Sequence, residues 1–102
     1  MSITKKELKI ILVEGEGYHV EFKERFDKSI AKEIVAFTNA TGGRIFLGVK
    51  DNGGIQGAKL TNKLNASITD IAKNCNPSIK VDIYFIEQLI VIEIFEGSNK
   101  PY

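Results

Sequence analysis

Arg44-Ile45-Phe46-Leu47-Gly48-Val49-Lys50-Asp51-Asn52-Gly53-Gly54 is the stretch on which the reading of this chain turns. Ile45, Leu47 and Val49 recur at every second position, so residues 44–50 read as a strand with those three on one face. Asp51-Asn52-Gly53-Gly54 reads as a tight turn, since Asn-Gly is the strongest short hairpin signal. A brief strand is expected at residues 55–57. Phe46 lies opposite the Ile45/Leu47/Val49 face. There it either stacks on a base or, the favoured reading, packs against a helix on a sheet covered on both sides.

Upstream, Thr41-Gly42-Gly43 stops a helix, because glycine accepts the left-handed backbone of a helix end. Asp27 or Ser29 caps that helix, and Ile30, Ile34 and Phe37 fall at i, i+4, i+7. Before it, residues 18–23 alternate as a strand. Val20 and Phe22 are expected to face the core, and His19, Glu21 and Lys23 the other side. Thr4-Lys5-Lys6-Glu7 is a capping box opening a first helix that ends at Gly15 and Gly17.

Downstream, Leu60, Leu64, Ile68, Ile71, Ala72 and Cys75 trace one helical face, and Asn76-Pro77 ends that helix. Two strands follow, at 80–86 and 89–95. Leu89-Ile90-Val91-Ile92 is apolar on both parities, which predicts a strand that is central or covered on both faces. The expected order is therefore α-β-α-β-β-α-β-β, an α/β (α+β) fold with helices packed on a compact mixed sheet.

The 102 residues suit one domain, 1–102, and one modest core. Hydrophobic residues at 43% and charged residues at 26% exclude a disordered composition. A single cysteine, Cys75, forms no internal disulfide, and residues 1–9 are charged without a secretory apolar core, so a cytoplasmic setting is expected. No apolar run approaches membrane-spanning length. Cys75 itself lies on the apolar helix stripe and reads as a core thiol. The polar end, Gly97-Ser98-Asn99-Lys100-Pro101-Tyr102, reads as an exit toward further domains of a longer protein.

The net charge of +1 argues against a diffuse basic surface. Residues 1–50 carry nine Lys/Arg against seven Asp/Glu, so phosphate contacts belong in the first half.

Two groups of residues could carry chemistry. Glu21 and Lys23 lie two apart on a strand and point to one side, Glu16 precedes that strand, and Asp51 follows the next one. If the strand ends meet, three carboxylates and an ammonium converge. Carboxylate oxygens suit Mg²⁺ or Mn²⁺, which polarise a phosphodiester and activate water, while lysine offsets charge on the phosphoryl oxygens. The alternative, favoured on spacing alone, is a set of solvated charges in weak surface pairs. In the second group, Gly42 and Gly43 permit a close backbone approach to phosphate with Arg44 adding charge. A plain helix end explains the same glycines and is favoured locally. No Gly-Lys-Ser/Thr follows, which excludes a nucleotide P-loop. His19 could act as a base or a metal ligand, but a lone histidine on an exposed strand face is more often unemployed.

Taken together, Glu16-x₄-Glu21-Phe22-Lys23, Ala36-Phe37-Thr38-Asn39-Ala40-Thr41-Gly42-Gly43, and the run from Ile45 to Gly57 form an ordered series. That series resembles the Schlafen Alba-type domain, also called the divergent AAA-associated or Alba-like DNA-binding domain. The resemblance runs from about Glu14 to the C-terminus and includes Lys100-Pro101-Tyr102. It implies a fold related to the archaeal chromatin protein Alba, in a module that usually opens a longer prokaryotic protein, often a transcriptional regulator with a helix-turn-helix further on. In some animal Schlafen proteins two such modules form a clamp that cuts RNA with a three-carboxylate metal site. By motif, those carboxylates match Glu16, Glu21 and Asp51.

The leading expectation is a DNA- or RNA-binding module contacting phosphates through Lys23, Arg25, Arg44 and Lys50, with Gly42 and Gly43 in the bend. The rivals are a metal-dependent nuclease with Glu16, Glu21, Lys23 and Asp51 as catalytic residues, and a homodimerisation module pairing through edge strands. ATP binding is the weakest, resting on the family's historical label and the glycine loop.

Overall fold

The computed structural model describes residues 2–98 and 100–102. Met1 and Asn99, which fall in the charged N-terminal and polar C-terminal stretches read above, lie outside them. Three helices and four strands follow one another as α1 (Lys5–Glu14), β1 (Val20–Lys23), α2 (Ile30–Asn39), β2 (Gly43–Leu47), α3 (Asn62–Lys73), β3 (Val81–Ile86) and β4 (Leu89–Ile94). The sheet order is β1-β2-β4-β3, with β1 parallel to β2 and the other pairs antiparallel. This is the expected mixed α+β architecture with one strand fewer. The brief strand expected at 55–57 is a single bridge between Val49 and Ile55.

Local chemistry sets the helix ends. Thr4 and Glu7 complete the capping box, each side chain taking the other's backbone N–H at 3.1 and 2.9 Å. The Glu7 carboxyl is held below its ordinary range by those bonds with Thr4. Thr61 caps α3 through the amide of Leu64 at 3.1 Å. At α2 the formal cap is Ser29, but its side chain makes no cap bond. Asp27 instead accepts the Ser29 amide at 2.8 Å and the Ser29 hydroxyl.

Strand parity divides the core into two layers. Ile45, Leu47, Ile90, Ile92 and Ile94 face α2 and α3, meeting Ile30, Ile34 and Ile68. Phe46, Leu89 and Val91 face α1, meeting Leu8, Val20 and Phe22. Every residue of β4 is buried, as expected for a central strand covered on both sides. Burying each such Ile or Leu contributes about 2 kcal/mol. Phe46 is fully buried with its ring edge-on to Phe22, 5.8 Å between centroids. It packs and offers no face to a base.

One parity expectation is corrected. Val49 does not share the face of Ile45 and Leu47 but joins Phe46 in the α1 layer. The cause is Gly48, whose φ of 108° bulges the strand so that both the Gly48 and Val49 amides donate to the Lys23 carbonyl, at 2.7 and 3.1 Å. An extra residue on one strand shifts every following side chain to the opposite face.

The polar tail folds back on the end of α2. Thr38 Oγ1 donates to the Phe95 carbonyl at 2.8 Å, the Gly97 amide to the Thr38 carbonyl at 2.8 Å, and the Tyr102 amide to Asn39 Oδ1 at 2.7 Å. Thr38 and Asn39 thus have a structural use inside the motif that carried the resemblance. Among the described residues no helix is long and apolar enough to cross a membrane.

Candidate nucleic-acid interface

β1 is an edge strand, and its parity explains where Glu16 sits. The carbonyls of His19 and Lys23 accept from Arg44 and Gly48 of the neighbouring chain segment, at 2.8 and 2.7 Å. The Phe22 amide therefore points outward. Glu16, just past the Gly15 cap, accepts it at 2.8 Å and closes that gap in the free edge.

Glu21 lies on the α2 side of β1, half-buried. Burial, the carboxylate of Glu16 beside it, and the charge of Glu33 push its carboxyl up to about 6, against a smaller opposing pull from Lys23. Lys23 reaches across to α2, where its Nζ pairs with Glu33 Oε1 at 3.1 Å and donates to Ser29 Oγ at 3.1 Å. Burial pulls the Lys23 ammonium down. The bond to Glu33 and the charges of Glu33, Asp27 and Glu21 outweigh that and hold it above its ordinary value.

Asp51 belongs to the exposed turn after β2, which the Lys50 amide closes onto the Gly54 carbonyl at 2.8 Å and Asn52 Oδ1 closes onto the Gly54 amide at 2.8 Å. Two clefts meet at this turn. One is lined by Glu16, Phe22, Lys50 and Asp51. The other is lined by Lys23, Glu24, Arg25 and Asp27 and shares Phe22 and Asp51 with the first. Of the expected acids, then, Glu16 stands beside Glu21, and Glu16 shares a cleft with Asp51. Among the described residues, no three His, Cys, Asp or Glu side chains gather closely enough to hold a metal ion.

The second candidate group is at the other end of the sheet. Arg44 is level with Val20, three residues or about 10 Å along β1 from Lys23, and on the α1 face. Its Nε donates to Glu93 Oε2 at 2.9 Å, with the arginine side chain 37% and the glutamate 9% exposed. Tyr84 Oη donates to the same oxygen at 2.7 Å and accepts the Ile3 amide at 3.1 Å. Burial and then Glu93 raise the Tyr84 hydroxyl to about 12, so it stays a donor. The glycines before Arg44 are packed. The Gly42 amide donates to the Phe37 carbonyl at 2.8 Å. A Cβ on Gly42 would stand 2.8 Å from the Ile94 carbonyl oxygen, and one on Gly43 would overlap the Phe37 ring. The helix-end reading of these glycines accounts for both.

The structure thus groups Lys23, Arg25 and Lys50 around the joined clefts and leaves Arg44 apart. Sequence reasoning missed Glu33 and Glu93. Glu33 sits beside the buried Ile30 and Ile34 on the helix stripe. Glu93 is the lone charge in a strand read as buried on both faces. A charge in such a place must be paired, and that was the available signal. Cys75 is partly buried, its thiol bonded to the Ile71 carbonyl at 3.4 Å, as a core position requires.

Residues 16–102 match the family described as Schlafen, AlbA_2, and the chain belongs to that family. In fold it is similar to the DIP2311 protein from Corynebacterium diphtheriae, with a TM-score of 0.57 at 16% identity, over 94% of this chain and 22% of that one. The chain thus spans well under half of that protein's length. No curated protein matches it in sequence.

Proposed function

We propose that the chain is a nucleic-acid-binding module of a transcriptional regulator, gripping the phosphate backbone without reading sequence. The supporting observation is the pair of clefts meeting at Phe22 and Asp51, with Lys23, Arg25 and Lys50 on their walls. Arg25 and Lys50 are exposed and free to meet phosphate. Lys23 is committed to Glu33 and Ser29 and contributes field more than contact. With so few contacts, affinity falls with salt along a shallow slope. Anisotropy titrations of labelled DNA and RNA at low and moderate salt test this. Absence of affinity for either at low salt overturns it.

A second reading, phosphodiester hydrolysis, has one observation in its favour. Glu16 and Glu21 are adjacent carboxylates, and Glu21, titrating at about 6, is suited to proton exchange near neutral pH. A divalent ion of the Mg²⁺ or Mn²⁺ type would need Asp51 to close in across the cleft it shares with Glu16, so no step is derived through it. Incubating RNA and single-stranded DNA with Mn²⁺, using wild type and Glu21→Ala, decides the matter. Cleavage lost in the variant supports hydrolysis, and equal cleavage or none sinks it.

A further inference from the structure

Tyr18 is 91% exposed, the most open aromatic among the described residues, and sits at the opposite end of edge strand β1 from the joined clefts. An aromatic ring of that size left in water forgoes the burial that stabilises Phe46 and Phe22. It is held out by a rigid turn: Gly17 and Val20 exchange backbone bonds of 3.1 and 3.4 Å, leaving Tyr18 and His19 at the tip.

His19 is fixed as well. Its Nδ1 lies 3.1 Å from the Gly42 carbonyl and 3.4 Å from Thr41 Oγ1. A carbonyl only accepts, so Nδ1 carries the proton, and Nε2 of the neutral ring is left as an acceptor. The two rings stand 6.2 Å apart and tilted by 44°, a contact that still leaves Tyr18 open to solvent. Behind them, His19, Thr41, Gly42 and Arg44 line a third cleft. Its two acids are already engaged, Glu93 by Arg44 and Tyr84 and Glu96 by Lys100 at 2.7 Å, which lowers the repulsion a phosphate would meet.

We propose that Tyr18 and His19 form a stacking platform for an unpaired nucleobase, so that the module prefers single-stranded nucleic acid to duplex. This rests on the phosphate-binding reading above and gives it a substrate class. A strand laid along β1 would pass from the platform to Arg25 and Lys50, some 13 Å from His19 to Lys23. Stacking is tolerant of sequence, because every base has a π-face. A duplex keeps those faces buried in its own stack, and a fixed ring on a protruding turn cannot reach them.

The test is anisotropy with three probes at low salt, a single-stranded oligonucleotide, the matching duplex and an abasic single strand, against wild type, Tyr18→Ala and Tyr18→Phe. The platform predicts that Tyr18→Ala weakens single-strand binding about tenfold, with duplex binding unchanged and Tyr18→Phe within about twofold of wild type. It also predicts that wild type binds the abasic strand as weakly as Tyr18→Ala binds the intact one. Binding by wild type with no single-strand-specific loss in Tyr18→Ala overturns the platform and leaves the phosphate reading standing. No binding of any probe by wild type overturns both.

Discussion

The chain bends at two glycine doublets, Gly42-Gly43 where β2 begins and Gly53-Gly54 after it, and the two are alike in sequence but opposite in packing. Gly42 is buried, with its amide spent on the Phe37 carbonyl and backbone from the end of β4 against its α-carbon. Gly43 lies under the Phe37 ring. Gly53 has no atom within 4 Å of the place a Cβ would take, and a Cβ on Gly54 would meet the side chains of Asn52 at 3.0 Å and Lys50 at 3.9 Å. The first bend is a joint of the core, whose neighbouring arginine is claimed by a buried glutamate. The second is a surface turn, whose neighbouring Lys50 is exposed. A glycine doublet near a basic residue is thus not a phosphate cradle by composition. What distinguishes the cases is whether the cation remains unspent, since Gly42, Gly53 and Gly54 all spend their amides within the chain.

The largest expected effect tests that contrast directly. Gly43→Ala must displace the Phe37 ring and is expected to lose about 3 kcal/mol or more by urea denaturation, like other overpacked core sites. Gly53→Ala meets only the cost of a side chain at a φ of 86°, about 1 kcal/mol. Equal losses would erase the distinction between the bends.

Next in size is the arginine of the first bend. Arg44→Ala leaves Glu93 buried with one donor fewer, and a loss of about 2 kcal/mol is expected in the same assay, less than for a fully buried pair because Arg44 is partly exposed. A loss near zero would release Arg44 to act as a free phosphate contact.

A smaller effect is expected at Glu21 on β1, level with Ile45. The Glu21 carboxyl titrates higher in the fold than in the unfolded chain, so the folded state binds the extra proton. Stability on this account is greatest below the ordinary carboxylate range and is lost as pH rises through about 6. Glu21→Gln removes that loss. It should raise stability above pH 6 by about 1 kcal/mol, after discounting for solvent at a half-exposed site, and the gain should vanish in acid. Denaturation midpoints across pH check it, and a pH-independent difference would disprove the linkage.

Smallest in stability are Arg25→Ala and Lys50→Ala, each expected within about 0.5 kcal/mol of wild type. Their effect should appear in nucleic-acid binding, where each lowers the slope of log affinity against log salt by about 1. An unchanged slope would detach the open bend from phosphate binding.

Periodicity and end signals in the chain were sufficient for the helices, the four strands and the central place of Leu89–Ile94, because burial on one or both faces is written directly into the spacing of apolar residues. The Thr4 capping box was legible for the same reason, since its partners are three residues apart. Val49 was misplaced because one bulged residue at Gly48 reverses parity, and a glycine does not announce its φ. The ordered motif blocks were enough to suggest the family. Which charges are spent was settled only in three dimensions. Lys23 with Glu33 and Arg44 with Glu93 are joined across different elements, and pairing at such sequence distances depends on where the sheet and helices carry each side chain. The exposure of Tyr18 was likewise decided by the fold, because a ring's burial depends on what the rest of the molecule brings against it.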